Sequence, residues 1–421
     1  MLKTINGIIE NASQKGIIQQ STEDQAFSNA MVRIEGKTMV NFGSCSYMGL
    51  EFHPTLKQKT KEAVEKYGTQ FSSSRSYLSI GMYDELEALF ARIYEKPVVL
   101  AATTTLGHFA TIPTIIGDND AVILDYQAHS SMQVAVKLLK ERLVKVDRVE
   151  HNNMEQLEKK LKTLSKTYDR VWYLADGVYS MYGDFAPMKE LERLLNKYKK
   201  FHLYIDDAHG MGWAGENGVG YVRTEIKHHD RMVLVMSLAK SYAATGGLLV
   251  FPNEEMKKLV KNCGSTLMFC GPIQPPMLGA ALASARLHCS AELPALQQEL
   301  QEKVAFTNRR LRELGIPQIV ENNSPLFFIP VGVPEHVSEI LLRMKKQGYF
   351  LNAAFFPAAP MKRGGLRFLI TRNVSYEQIE GMLTTLQWEY VEGLETVGAS
   401  LTQLAKDFGI PDFSKNLKTY C

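Results

Sequence analysis

Between positions 55 and 251 the chain alternates segments of helical spacing with short, mostly apolar runs. These are Val98-Val99-Leu100-Ala101, Ala121-Val122-Ile123-Leu124, Leu143-Val144-Lys145-Val146, Val171-Trp172-Tyr173-Leu174, Leu203-Tyr204-Ile205 and Met232-Val233-Leu234-Val235-Met236. A strand with one wet face alternates polar and apolar residues, whereas continuous apolar runs between helices predict a mainly parallel sheet covered on both faces. Ligands of such sheets lie beyond the carboxyl ends of the strands. Polar clusters follow the runs at those places: Thr103-Thr104-Thr105, Asp125-Tyr126-Gln127-Ala128-His129, Asp176 with Ser180, Asp206-Asp207-Ala208-His209, and Ser237-Leu238-Ala239-Lys240.

Beyond Pro275 the pattern changes to a long helical region over 277–314, strands at Leu326-Phe327-Phe328-Ile329 and Leu366-Arg367-Phe368-Leu369-Ile370, and a closing helix over 376–394. This reads as a smaller α+β domain. A hairpin is expected between Met31 and Val40, packed with that domain. The expected division is an N-terminal arm and hairpin (1–50), a large domain (51–290) and a small C-terminal domain (291–421); 421 residues exceed what one core usually covers.

Composition narrows the partners. Hydrophobic residues make up 45% and charged residues 22%, ordinary values for a globular chain. The formal charge of +3 gives no reason to expect nucleic acid. The five cysteines, Cys45, Cys263, Cys270, Cys289 and Cys421, include no Cys-x-x-Cys spacing, which argues against a disulfide framework or a zinc site and fits a reducing cytosol. The N-terminus does not read as a signal peptide and no stretch has the apolar length of a membrane span, so a cytoplasmic protein is expected, with peripheral contact to a membrane surface left open.

The chemistry concentrates on Lys240 and Asp206. A lysine amine attacks an aldehyde only when neutral, and a partly desolvated strand end favours that state. An aspartate at the end of a neighbouring strand can keep a pyridinium nitrogen protonated, and this pair is what pyridoxal phosphate requires of a protein. Taken singly, Lys240 reads as a surface lysine and His129 or Ser180 as helix caps; their joint order along the chain favours the cofactor site.

The segment Asp206-Asp207-Ala208-His209-Gly210, its sequel Gly215 and Gly218-Val219-Gly220, and Asp176-Gly177-Val178-Tyr179-Ser180-Met181-Tyr182-Gly183-Asp184-Phe185-Ala186-Pro187 closely resemble signatures of the α-oxoamine synthases. These are fold-type I pyridoxal phosphate enzymes, a family that includes serine palmitoyltransferase, aminooxononanoate synthase, aminoketobutyrate ligase and aminolevulinate synthase. The resemblance runs over about 41–372 and implies an α/β fold: a large mainly parallel-sheet domain with a smaller α+β C-terminal domain. It implies that Lys240 carries the cofactor as a Schiff base and that Asp206 pairs with the ring nitrogen. His209 and Ser180 would bond the phenolic oxygen, and His129 would stack on the ring. Thr104, Thr105 and Ser237 are the phosphate candidates, at a helix start suited to an anion. Arg367 resembles the arginine that grips the substrate carboxylate, and Cys45 and Arg75 are the remaining substrate candidates. No metal is implied.

Three departures bear on the substrate. Cys45 replaces an asparagine that lines the family's pocket, Tyr83 stands near the place of a usual histidine, and Phe269-Cys270-Gly271-Pro272 replaces a Ser/Thr-rich turn. The reaction implied is decarboxylative condensation of an α-amino acid with an acyl thioester of coenzyme A or acyl carrier protein, in a homodimer. A serine-like amino acid giving a sphingoid-type base is the leading substrate reading, prompted by Cys45 and the aromatic Phe355-Phe356-Pro357 loop. Cysteate, prompted by Lys362, Arg363 and Arg372, and glycine or alanine stay open, as do an aminotransferase and a non-catalytic cofactor-binding subunit.

Overall fold

The computed structural model describes residues 2–27 and 30–413, so Cys421 lies outside the described residues. In chain order, helix α1 (Leu2–Gln14) precedes the hairpin β1 (Met31–Ile34) and β2 (Lys37–Asn41), followed by α2 (Pro54–Tyr67) and α3 (Gly81–Tyr94). The alternating stretch is β3 (Val98–Ala101), α4 (Thr104–Ile115), β4 (Ala121–Asp125), α5 (Ser130–Lys140), β5 (Lys145–Val149), α6 (Met154–Leu164), β6 (Val171–Asp176), α7 (Met188–Lys197) and β7 (Phe201–Asp206). It closes with α8 (Tyr221–Glu225), β8 (Met232–Ser237) and β9 (Gly247–Val250). Next come α9 (Glu254–Cys263), α10 (Ser265–Met268), α11 (Pro275–His288) and α12 (Leu293–Leu314). The remainder is β10 (Leu326–Gly332), α13 (Pro334–Lys346), β11 (Tyr349–Phe350), β12 (Asn352–Ala354), β13 (Gly364–Leu369), α14 (Tyr376–Thr396) and α15 (Leu401–Phe408). By contacts the chain divides into a unit of Met48–Ser180 and Phe185–Gln297, and a second unit of Met1–Tyr47, Met181–Asp184 and Gln298–Cys421.

The larger unit holds a sheet in the order β3-β9-β8-β7-β6-β4-β5. Strands β4 to β8 pair in parallel, and β9 alone is antiparallel to its neighbours β8 and β3. Successive residues of each strand enter opposite cores. Val171, Tyr173, Leu203, Ile205, Leu234 and Met236 pack on one face, and Trp172, Leu174, Tyr204, Val233 and Val235 on the other. Burial on both faces explains the unbroken apolar runs, each large side chain contributing roughly 1.5–3 kcal/mol. Helix α11 lies so close on α2 that a Cβ on Gly279 would meet the Lys59 carbonyl oxygen at 2.4 Å.

Two local expectations shift. Strand β5 begins two residues later than the run Leu143-Val144-Lys145-Val146, because Leu143 adopts a left-handed turn (φ 59°) with its side chain 91% exposed. The helical region over 277–314 is two helices, α11 and α12, parted at Cys289, with Pro294 in the first turn of α12, where its missing N–H removes no helical bond.

The smaller unit has an antiparallel sheet in the order β10-β13-β12. In its other sheet β11 joins the hairpin, pairing in parallel with β2 through Tyr349 opposite Val40. Helix α14 opens with a capping box between Ser375 and Gln378. Arg310 on α12 grips Glu380 on α14 through two bonds of 2.6 Å. Among the described residues no helix is long and apolar enough to cross a membrane.

Candidate active site

Four parallel strands of the larger unit end on polar residues: Asp125 on β4, Asp176 on β6, Asp206 on β7 and Ser237 on β8. Asp176 and Asp206 are direct neighbours in register. A buried carboxylate needs donors, and Asp206, 5% exposed, has two: Oδ1 accepts the Ala208 N–H at 2.9 Å, and Oδ2 lies 2.9 Å from His108 Nε2. Burial works to raise the Asp206 pKa, but the His108 bond and the charges of His108, His129 and Lys240 outweigh it and hold the carboxyl down at about 2. Asp176 goes the other way. Burial first, then the Asp206 and Asp125 charges, push it well above the usual carboxylate range, while the His129 N–H it accepts at 2.9 Å and the Lys240 charge oppose the rise. Two adjacent carboxyls are thus shifted in opposite directions.

His129 caps α5, accepting the Ser131 N–H through Nδ1. The residue is exposed, yet its pKa is lowered, by desolvation foremost and then by Lys240 and His108 against the pull of Asp206. Lys240, half-buried three residues past β8, contributes its charge to Asp206, Asp176 and His129 alike. His209, 8% exposed, follows β7, and its carbonyl accepts Trp213 Nε1–H at 2.6 Å; Ser180 is half-buried beyond β6. The larger unit therefore brings Lys240, Asp206, His129, His209 and Ser180 to the carboxyl ends of its strands.

The glycines of the sequence signature have a steric cause. Asp207 is fully buried, its Oδ2 accepting the Val222 N–H at 3.0 Å. A Cβ on Gly210 or Gly220 would stand 2.2 Å or 2.4 Å from that carboxyl, so only glycine leaves room for it.

At the sheet's other side, α4 starts at the carboxyl end of β3. Thr103 is its N-cap, its hydroxyl accepting the Leu106 N–H at 3.1 Å. Thr104 Oγ1 donates to the Met236 carbonyl at 3.2 Å, which fastens the helix start to the end of β8; Thr105 is exposed. Gly247 lies opposite, where a Cβ would meet Thr104 N and Cα at 2.8 Å. This close backbone approach, with Ser237 at the end of β8, makes a cradle of amides and hydroxyls for an anion.

In the smaller unit Arg367 on β13 is 7% exposed, with Nη2 3.7 Å from Cys45 Sγ. The buried Tyr47 phenol beside Cys45 is pushed well up, mainly by burial. Arg372 and Lys303 both bond Glu299, at 2.7 and 2.8 Å, and Arg363 Nε donates to the Asp407 carbonyl at 2.6 Å. Arg75, a substrate candidate in the sequence reading, pairs with Glu87 at 2.7 Å and stacks 3.8 Å over Tyr83, both on α3. His108, Tyr204, Asp125 and Asp176 are site neighbours to which the sequence reading gave no role. The one signal for His108 was a polar residue in the apolar window Leu106-Gly107-His108-Phe109-Ala110.

Comparison with known proteins fits this geometry. The aminotransferase class I and II family matches residues 37–385. An 8-amino-7-oxononanoate synthase of Treponema denticola is 28% identical over 88% of this chain and 93% of its own length. A serine palmitoyltransferase of Sphingobacterium spiritivorum is 27% identical over 89% of this chain and 92% of its own. Among solved structures, serine palmitoyltransferase with pyridoxal phosphate superposes with a TM-score of 0.84 at 25% identity, covering 95% of this chain and 100% of that one. The enzyme from S. paucimobilis, bound to pyridoxal phosphate and myriocin, gives a TM-score of 0.84 at 24% identity over 94% and 99%.

Proposed function

The chain belongs to the class I and II aminotransferase family, in its α-oxoamine synthase branch, as a pyridoxal-phosphate-dependent acyltransferase, and from that premise we propose that it joins a serine-like α-amino acid to an acyl thioester. The α carbon bonds the acyl carbon as the C–S bond breaks and the thiol leaves. The amino acid's carboxyl departs as carbon dioxide, and the α carbon takes a proton, giving an α-amino ketone of the sphingoid-base type. The carrying observation is an ionised, doubly bonded Asp206 beside Lys240 and His129 at the strand ends.

The residues present fit the cofactor. An anionic carboxylate suits a protonated ring nitrogen, and the cradle at Thr104, Gly247 and Ser237 suits a phosphate. When bound, pyridoxal phosphate supplies an electron sink for charge at an amino acid's α carbon. Asp206 keeps the proton on the ring nitrogen, and His209 and Ser180 orient the phenolic oxygen. Lys240 holds the cofactor covalently; once freed as a neutral amine, its Nζ removes the α proton. His129, its pKa lowered foremost by desolvation, donates toward oxygen that gains negative charge as the acyl carbon is attacked. Arg367 offers a two-pronged donor to the substrate carboxylate, with Cys45 setting the polarity beside it.

The serine-like reading is favoured over cysteate because two of the three extra cations near Arg367 in sequence are engaged: Arg372 with Glu299 and Arg363 with a backbone carbonyl. A homodimer belongs to the same reading and is checked by light scattering. The test is mass spectrometry of products from a matrix of amino acids and acyl thioesters, with thiol release read in parallel. Serine with a long-chain thioester should give the amino ketone. Keto acid formed without thiol release would mark an aminotransferase, and no product from any pair would sink the enzyme reading.

A further inference from the structure

Tyr204 and Asp206 lie two residues apart on β7 and so project to the same face of the sheet, the face on which Trp172, Leu174 and α4 pack. His108, on the second turn of α4, is 0% exposed and bridges them: Nδ1 lies 2.8 Å from the Tyr204 hydroxyl and Nε2 2.9 Å from Asp206 Oδ2. The proton count fixes the direction of the Asp206 bond. The ionised Asp206 has no hydrogen to give, whereas the Tyr204 hydroxyl can donate or accept. Nε2–H therefore donates to Oδ2, while Nδ1 is anchored at the Tyr204 hydroxyl.

We propose that His108 is a positioning residue: pinned by Tyr204, it donates to Asp206 Oδ2, fixes the rotation of that carboxylate and keeps it available as the acceptor for a cofactor ring nitrogen. This rests on the reading that Asp206 is the ring-nitrogen partner. The same helix carries Thr104 at its first turn, so one rigid element fixes both the start of the anion cradle and the donor to Asp206. A histidine that only knits α4 to the sheet would affect stability and leave the electronic state of a bound cofactor alone. A positioning histidine changes that state, since a carboxylate free to rotate or to take up a proton is a poorer partner for a pyridinium.

Two measurements separate these roles. In cofactor-free protein labelled with 15N-histidine, the signal lost in His108→Gln should show Nε2 protonated; an unprotonated Nε2 would overturn the proposed direction. In protein loaded with 15N-pyridoxal phosphate, the ring-nitrogen resonance should be that of a pyridinium in the wild type. It should move toward neutral pyridine in His108→Phe, with cofactor affinity falling about 10-fold or more, and return in His108→Gln, which restores an N–H donor. Tyr204→Phe, which removes only the pin, should shift the resonance the same way by less, and it carries the test if His108→Phe does not fold. Wild-type-like ring nitrogen and affinity in the folded variants would overturn the positioning role while leaving the enzyme reading intact. A neutral ring nitrogen in the wild type would instead overturn the assignment of Asp206 beneath it.

Discussion

Replacing Asp206 with asparagine keeps the side-chain volume and removes the charge, and the structure states what that costs. Both carboxylate oxygens accept from buried donors, the Ala208 N–H and His108 Nε2–H. Asparagine has one oxygen and one NH2 group, so one of those donors must face another donor, a loss of about 1–3 kcal/mol. A second estimate comes from the acidity. The Asp206 pKa is depressed from 3.8 to about 2, and at about 1.4 kcal/mol per unit this favours the folded anion by roughly 2–3 kcal/mol. The two estimates describe the same bonds and are not summed. For a depressed carboxyl the stabilisation is present above the unfolded value and is lost only as pH falls from about 4 through about 2, so it acts in full at neutral pH. At about 2–4 °C per kcal/mol for a domain of 150–250 residues, Asp206→Asn in cofactor-free protein at pH 7 should lower Tm by roughly 4–12 °C. Thermal unfolding followed by circular dichroism reads this directly. A folded variant with an unchanged Tm would refute the claim that both oxygens are engaged by buried donors.

Asp176→Asn should do the reverse. A buried carboxyl raised above its ordinary range costs stability as pH climbs from about 4 toward its folded pKa, and asparagine still accepts the His129 N–H, so the variant's Tm gain should be larger at pH 8 than at pH 5. Gly247→Ala places a Cβ 2.8 Å from Thr104 N and Cα; fluorescence titration should show cofactor affinity reduced about 10-fold or more, about 1.4 kcal/mol, with the amino-acid KM of the saturated enzyme little changed. Arg367→Lys loses the two-pronged donor and should raise the amino-acid KM roughly 10–100-fold, with the absorption spectrum of the loaded enzyme intact; altered cofactor binding would argue against its role.

What the sequence disclosed follows from what the residues had to satisfy. Strands β6, β7 and β8 were readable because burial on both faces demands unbroken apolar runs, and the polar residues that end them were readable by contrast. Strand β9 escaped notice because its short Gly-Leu-Leu-Val run follows another glycine and its antiparallel pairing leaves no local mark. The run at Leu143 misled because its apolar side chain is in solvent. Arg75 was legible as a motif residue, but its pairing with Glu87 and Tyr83 was not, since that depends on how α3 packs. His108 was opaque for the same reason: its partners on β7 are far away in sequence, and only the packing of α4 on the sheet turns an unremarkable helical histidine into a neighbour of Asp206.

The central claim is that Lys240 is the residue that carries pyridoxal phosphate. Borohydride treatment of the loaded protein followed by peptide mapping tests it most directly. The account predicts one reduced cofactor on the peptide containing Lys240 and none in Lys240→Ala. Attachment to any other lysine, or no attachment in a wild-type protein that retains the cofactor's absorbance, would contradict it.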